Sequence, residues 1–119
     1  RRKAGILPRV ENADLTEANP PTMDRFQLWR KAHVHVAGRP EWIFIKLHTH
    51  GCKPSNMSML LGDALKNFYH GIAEACAKGS GQSLHFVTAR EMVNIIHAAE
   101  AGEKGNPGDY RDYRYSLRK

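Results

Sequence analysis

One apolar segment constrains the fold of this chain more than any other feature. It runs from Trp42 to His48 and is rich in aromatic and β-branched residues. Its first half is apolar at every position, which is typical of a strand that is covered on both faces in a parallel sheet. A turn containing Gly38 and Pro40 precedes it, and Gly51 follows it. We therefore predict a central strand over residues 42–48.

Helical patterns lie on both sides of this strand. Thr22 is placed to cap a first helix that ends near Ala32, because its hydroxyl can accept a hydrogen bond from a free amide of the first turn. The longest helix is predicted over residues 57–78, where apolar side chains recur at spacings of three and four. Helices and strands are thus predicted to alternate along the chain.

A second strand and a last helix complete the pattern. Residues 84–87 have strand composition, and Thr88 with Glu91 forms a capping box for a helix that ends at Gly102. Strands joined through helices are normally parallel. The sequence therefore predicts an α/β fold of strand–helix units with a mainly parallel sheet.

Two strands make a poor sheet, so the prediction needs a further source of strands. A third strand can come from residues 5–15 or 33–36, from the rest of a larger α/β fold, or from a second copy in a homo-oligomer. We predict that residues 1–119 form a single α/β domain or part of a larger one. Residues 1–21 are predicted to be irregular, and residues 103–119 form a polar, basic tail.

The composition limits which classes of partner and which cellular location we expect. The formal net charge is +6, which favours an acidic partner. However, the positive charges gather at both chain ends, as is typical of solvated tails, and this argues against nucleic acid. No apolar run approaches the roughly 18 residues that a membrane span needs. Two cysteines are too few for a disulfide framework, so we expect a cytoplasmic protein with reduced thiols.

The predicted strand carries the best candidates for chemistry. In an extended chain, Lys46, His48 and His50 point to the same side, at the carboxyl end of the strand, where parallel α/β folds bind ligands. Histidine can act there as a general acid or base. Arg90 lies just beyond the second strand and can face the same cleft as His50. We predict that His48 and His50 are catalytic and that Lys46 and Arg90 bind substrate.

Metal binding is an alternative role for the histidines. His33, His35, His48, His50 and Cys52 could supply ligands to a zinc-type site. Their spacing matches no closed-site signature, and the sequence fixes no carboxylate nearby. We therefore predict no metal ion held wholly by this chain.

The order of elements resembles the C-terminal part of polysaccharide deacetylases of the NodB-like superfamily. The resemblance covers about residues 40–101 and rests on three short motifs: a strand ending in Leu47-His48, a long helix, and a strand–helix junction that reads His85-Phe86-Val87-Thr88-Ala89-Arg90-Glu91-Met92. It implies a (β/α) barrel and metal-dependent deacetylation of a carbohydrate. It also implies that a histidine of this segment is the general acid, with His48 and His50 both candidates.

The resemblance has a clear gap. The family's early motifs, which hold the catalytic aspartate and the ligands of a zinc-type divalent metal, have no counterpart before residue 40. The resemblance thus implies that the chain is the C-terminal fragment of a barrel, inactive alone and partnered by the upstream part of the same protein.

Two other functions remain open. The first is a non-enzymatic binding module for an acidic partner, which would use the basic surface and the tail containing Tyr110, Tyr113 and Tyr115. The second is a small metalloenzyme that uses both His-x-His pairs.

Overall fold

The regular elements of this protein are helical. A computed structural model describes residues 10–51, 53–77, 79 and 81–116. None of the helices in this part of the chain is long and apolar enough to cross a membrane. Within these ranges the four α-helices are α1 (Met23–Ala32), α2 (Met57–Leu61), α3 (Asp63–Ala77) and α4 (Ala89–Glu100), and short 3-10 turns occupy Pro54–Asn56 and Pro107–Tyr110.

The predicted α/β fold is wrong. Residues 33–36, 42–48 and 84–87 form no ladder, and β pairing within the described residues is confined to isolated bridges. Strand-like composition stabilises a strand only where neighbouring strands offer main-chain partners and a surface to pack on. Here Trp42 is buried against α4 instead. The mainly parallel sheet and the deacetylase-like (β/α) barrel are therefore corrected to a mainly helical structure, with no sheet in the described part of the chain.

The described chain divides into two compact units. The first contains the residues up to Lys31 together with Lys46–Ile72, and the second contains Ala32–Ile45 together with the residues from Ala73 onwards.

Aromatic packing forms the core of the first unit. The Phe68 ring meets the rings of Phe26 and Trp29 edge to face, with centroids 6.4 and 6.0 Å apart. The predicted start of α1 is confirmed, because the Thr22 hydroxyl accepts a hydrogen bond from the Arg25 amide at 3.3 Å. The predicted long helix is interrupted at Gly62, where a Cβ atom would lie 2.3 Å from the Ser58 carbonyl oxygen.

The second unit is built on α4. Trp42, Ile95, Ala98 and Ala99 form its buried cluster. The predicted capping box is confirmed: the Thr88 hydroxyl accepts from the Glu91 amide, and the Glu91 carboxylate accepts from the Thr88 amide at 2.7 Å.

The polar segment after α4 packs back on the same helix. The Asn94 side chain donates to the Arg111 carbonyl at 2.7 Å, and an Arg111 guanidinium nitrogen donates to the Phe86 carbonyl at 2.9 Å. The centroids of the Tyr110 and Trp42 rings are 5.7 Å apart. These bonds fix residues 103–116 against the buried cluster of this unit.

Candidate functional site

The main chain of His48 is held by the segment that precedes α1. The His48 amide donates to the Ala13 carbonyl at 3.3 Å, and its carbonyl accepts from the Leu15 amide at 2.8 Å. The Thr49 hydroxyl adds a bond of 2.7 Å to the Leu15 carbonyl. Ala13 itself has a φ of 59°, a left-handed conformation that costs a non-glycine residue about 1–2 kcal/mol. Such strain persists only where surrounding bonds hold the residue in place.

This pairing brings the His48 imidazole to the Asp14 carboxylate. The distance from His48 Nε2 to Asp14 Oδ1 is 3.8 Å, and 43% of the His48 side chain is exposed. Asp14 Oδ1 is buried and has no hydrogen-bond partner among the described residues. A carboxylate beside an imidazole can orient the ring by accepting a hydrogen bond from it. His48 and Asp14 therefore form a candidate acid–base pair that is open to solvent on the histidine side.

The Arg25 side chain holds the main chain of Asp14 in place. Its guanidinium is buried, and it donates to the Asp14 carbonyl at 2.9 Å. It also donates to the carbonyls of Asn19 and Pro20, at 2.7 and 3.0 Å. Two further bonds, of 2.9 and 2.6 Å, reach both carboxylate oxygens of Glu11. One side chain thus fixes the backbone that carries the candidate carboxylate.

The ion pair between Arg25 and Glu11 shifts the pKa of the Glu11 carboxyl group. Hydrogen bonding from Arg25 lowers the pKa of Glu11 to about 2, and the Ala13 amide contributes in the same direction, while burial partly opposes both. Between about pH 4.5 and pH 2, Glu11 is therefore mostly ionised in the folded protein and mostly protonated in the unfolded chain.

This shift predicts acid sensitivity. Because the pKa of Glu11 is lower in the folded than in the unfolded state, its stabilisation is complete above about pH 4.5 and is lost as the pH falls towards 2. After allowance for solvent screening, we expect a loss of about 2 kcal/mol across this interval. Urea unfolding at pH 7, 4 and 2.5 measures it, with Glu11→Gln as the control. Parallel pH curves for the two proteins would contradict the prediction.

A buried amide holds the loop after His48. Asn56 is almost fully buried, and its oxygen accepts from the Glu17 amide at 3.2 Å. Its nitrogen donates to the His50 carbonyl at 3.3 Å. His50 is thereby fixed through its main chain, while its imidazole is exposed. Of the two candidate histidines, His48 is the one for which the described residues supply a carboxylate neighbour.

The other predicted site residues have different surroundings. Lys46 is exposed in the first unit. Arg90 belongs to the second unit, where its guanidinium pairs with the Asp112 carboxylate at 2.9 Å. The predicted cleft shared by Arg90 and His50 joins residues of different units and stays a prediction.

Asp14 is the site residue that the sequence did not reveal. Its neighbour His48 is distant along the chain, and the two meet through main-chain pairing rather than through a short motif. An isolated bridge of this kind leaves no periodicity in the sequence from which it could be predicted.

The divalent metal that the family resemblance implies would be held by early motifs that have no counterpart before residue 40. Within the described parts of the chain, no three side chains of the His, Cys, Asp or Glu types lie together in a way that could hold a metal ion. Cys52, a ligand candidate from the sequence, lies outside the described residues.

Comparisons with known proteins return no match: no family model, curated protein or solved structure is significantly similar to this chain.

Proposed function

We propose that His48, supported by Asp14, transfers a proton during hydrolysis of an acetyl group on a carbohydrate. The observation that carries this proposal is the 3.8 Å approach of the exposed His48 imidazole to Asp14 Oδ1, which has no hydrogen-bond partner among the described residues. The substrate class and the reaction come from the sequence resemblance around residues 47–48 and 85–92. Proton transfer by such a pair requires local geometry and does not require the barrel fold.

In the proposed proton transfer, the two ring nitrogens of His48 have different roles. Nε2 of His48 faces Asp14, so the carboxylate can hold the ring by accepting a hydrogen bond from Nε2–H. Nδ1 is then the nitrogen that exchanges a proton with the substrate. In the protonated ring, Nδ1 gives its proton to the departing oxygen or nitrogen, and the ring remains neutral with Nε2–H towards Asp14. The 3.8 Å separation has to shorten by less than 1 Å to become a hydrogen bond.

The alternative function is a binding module for an acidic partner. It has less support than proton transfer because two arginines of the second unit already interact with acceptors in the protein. Arg90 pairs with Asp112, and Arg111 donates to the Phe86 carbonyl and approaches the Glu91 carboxylate at 3.5 Å. These guanidinium groups already have protein acceptors. The cytoplasmic location included in this proposal rests on the cysteine content of the sequence, because two cysteines are too few for a disulfide framework.

The test is an acetate-release assay on N-acetylated and O-acetylated oligosaccharides, using the full natural protein with added zinc. We expect His48→Ala to lower kcat by about 100-fold or more, the usual contribution of a general acid. Asp14→Asn should lower it by about tenfold, because the ring loses its orienting partner. His50→Ala and His70→Ala, which alter exposed histidines of the same unit, should change it less than about threefold.

Three results would contradict the proposal. Wild-type protein that releases no acetate would exclude the substrate class. An active His48→Ala protein would exclude His48 as the proton donor. A loss of activity in His50→Ala equal to that in His48→Ala would show that the loop, rather than the Asp14-supported ring, carries the effect.

A further inference from the structure

A second histidine pair lies in the other unit and is independent of the proposed acid–base pair. His33 and His35 directly follow α1, and both are exposed. Their ring centroids are 5.0 Å apart, with the ring planes inclined at 74°. Two imidazoles are thus presented together at the surface.

Hydrogen bonds determine which nitrogens of these rings are free. His33 Nε2 lies 2.8 Å from the Pro40 carbonyl oxygen, and His35 Nδ1 lies 2.6 Å from the His33 carbonyl oxygen. A carbonyl oxygen can only accept, so each of these nitrogens carries a hydrogen. In the neutral rings, Nδ1 of His33 and Nε2 of His35 therefore have unshared electron pairs.

The hydrogen bonding of the two rings is of the kind that metal-binding histidines have. A ligating imidazole usually donates its other N–H to a carbonyl or carboxylate, which fixes the ring and its tautomer. Both rings here meet that condition through carbonyl groups. With metal–nitrogen bonds of about 2.0–2.1 Å, two ligating rings have centroids within about 6 Å of each other, and the observed separation satisfies this limit.

We propose that His33 and His35 form a two-imidazole binding site for a divalent transition-metal ion of the copper, nickel and zinc class. Imidazole nitrogen suits these ions and discriminates against magnesium and calcium, which prefer oxygen ligands. No third His, Cys, Asp or Glu of the described residues joins the pair, so water completes the coordination.

The backbone at His33 supplies a control for the test. His33 has a φ of 50° and directly follows the last residue of α1, a position where glycine or asparagine is usual. Asparagine tolerates the left-handed conformation well. His33→Asn therefore removes the imidazole while retaining a residue that suits the end of the helix.

The experiment is a calorimetric titration of the metal-free full chain with Cu²⁺, Ni²⁺ and Zn²⁺ separately. We expect one equivalent to bind, with Cu²⁺ bound most tightly. His33→Asn and His35→Asn should each weaken Cu²⁺ binding by about tenfold or more, since even the loss of an outer-shell partner typically costs about 10–100-fold. A His48→Ala/His50→Ala double variant should bind Cu²⁺ as the wild type does, and circular dichroism should show every variant folded.

The outcomes separate this site from the acid–base pair. Cu²⁺ binding that survives both asparagine variants, or that disappears in the His48→Ala/His50→Ala protein, would overturn the inference. Wild-type protein without measurable Cu²⁺ binding would do the same. As a second readout, paramagnetic Cu²⁺ should broaden the NMR signals of the His33 and His35 rings before those of His70, an exposed histidine of the other unit.

Discussion

Replacement of Arg25 by methionine is expected to lower the free energy of unfolding by about 3–5 kcal/mol, the range for removal of one partner of a buried ion pair. Methionine keeps much of the side-chain volume but donates no hydrogen bond. The carboxylate of Glu11 and three main-chain carbonyls would then lack their common donor. Urea unfolding followed by circular dichroism measures the change.

A neighbouring residue on α1 provides the matched control. Lys31 is exposed, so Lys31→Met makes the same kind of substitution without removing a buried donor. Its effect should remain within about 0.5 kcal/mol. Glu11→Gln should fall between the two, because a neutral amide still accepts from Arg25 but loses the charge. If Arg25→Met and Lys31→Met had equal effects, the guanidinium network would not be a major source of stability.

Trp42→Ala is expected to destabilise the second unit by about 3–5 kcal/mol, as for other large aromatic side chains removed from a core. Trp42 is 5% exposed and belongs to the buried cluster on α4. Its ring also packs against Tyr110 and lies 4.5 Å beneath the guanidinium of Arg39, which is itself buried. Alanine would leave a cavity and remove the stacking surface of a buried charge.

Two further variants distinguish packing from a general sensitivity of this unit. Trp42→Phe keeps an aromatic ring and should cost less than half as much as alanine. Val93→Ala alters a side chain of α4 that is 46% exposed, and its effect should be within about 0.5 kcal/mol. Thermal unfolding monitored by tryptophan-independent circular dichroism compares them. A Trp42→Ala protein as stable as Val93→Ala would mean that the cluster contributes little.

The elements predicted correctly from sequence are those whose signals are local. Thr22 marks the start of α1, and the capping box of Thr88 and Glu91 marks the start of α4, because each depends on atoms within one helical turn. The strand predicted over residues 42–48 depended on distant partners that composition cannot specify. Its apolar side chains are suited equally to a sheet and to packing on a helix, and Trp42 packs on α4.

Of the candidate pair, the sequence pointed to His48 and not to Asp14, again because sequence patterns report local features. His48 stands out in the sequence because it ends an apolar segment, and 43% of its side chain is exposed. Asp14 lies in an irregular segment with no motif of its own. Its position beside His48 results from two main-chain bonds and from the Arg25 side chain, which are long-range contacts. Hydrophobic periodicity reports which face of an element is buried and carries no information about such contacts.

The main-chain hydrogen bonds of His48 have a practical consequence. Its amide and carbonyl are both bound to the segment of Ala13 and Leu15, so its position in space does not depend on its own side chain. Histidine analogues of graded basicity could be installed there semisynthetically without displacing the backbone. A plot of reaction rate against analogue basicity would then give the extent of proton movement in the rate-limiting step.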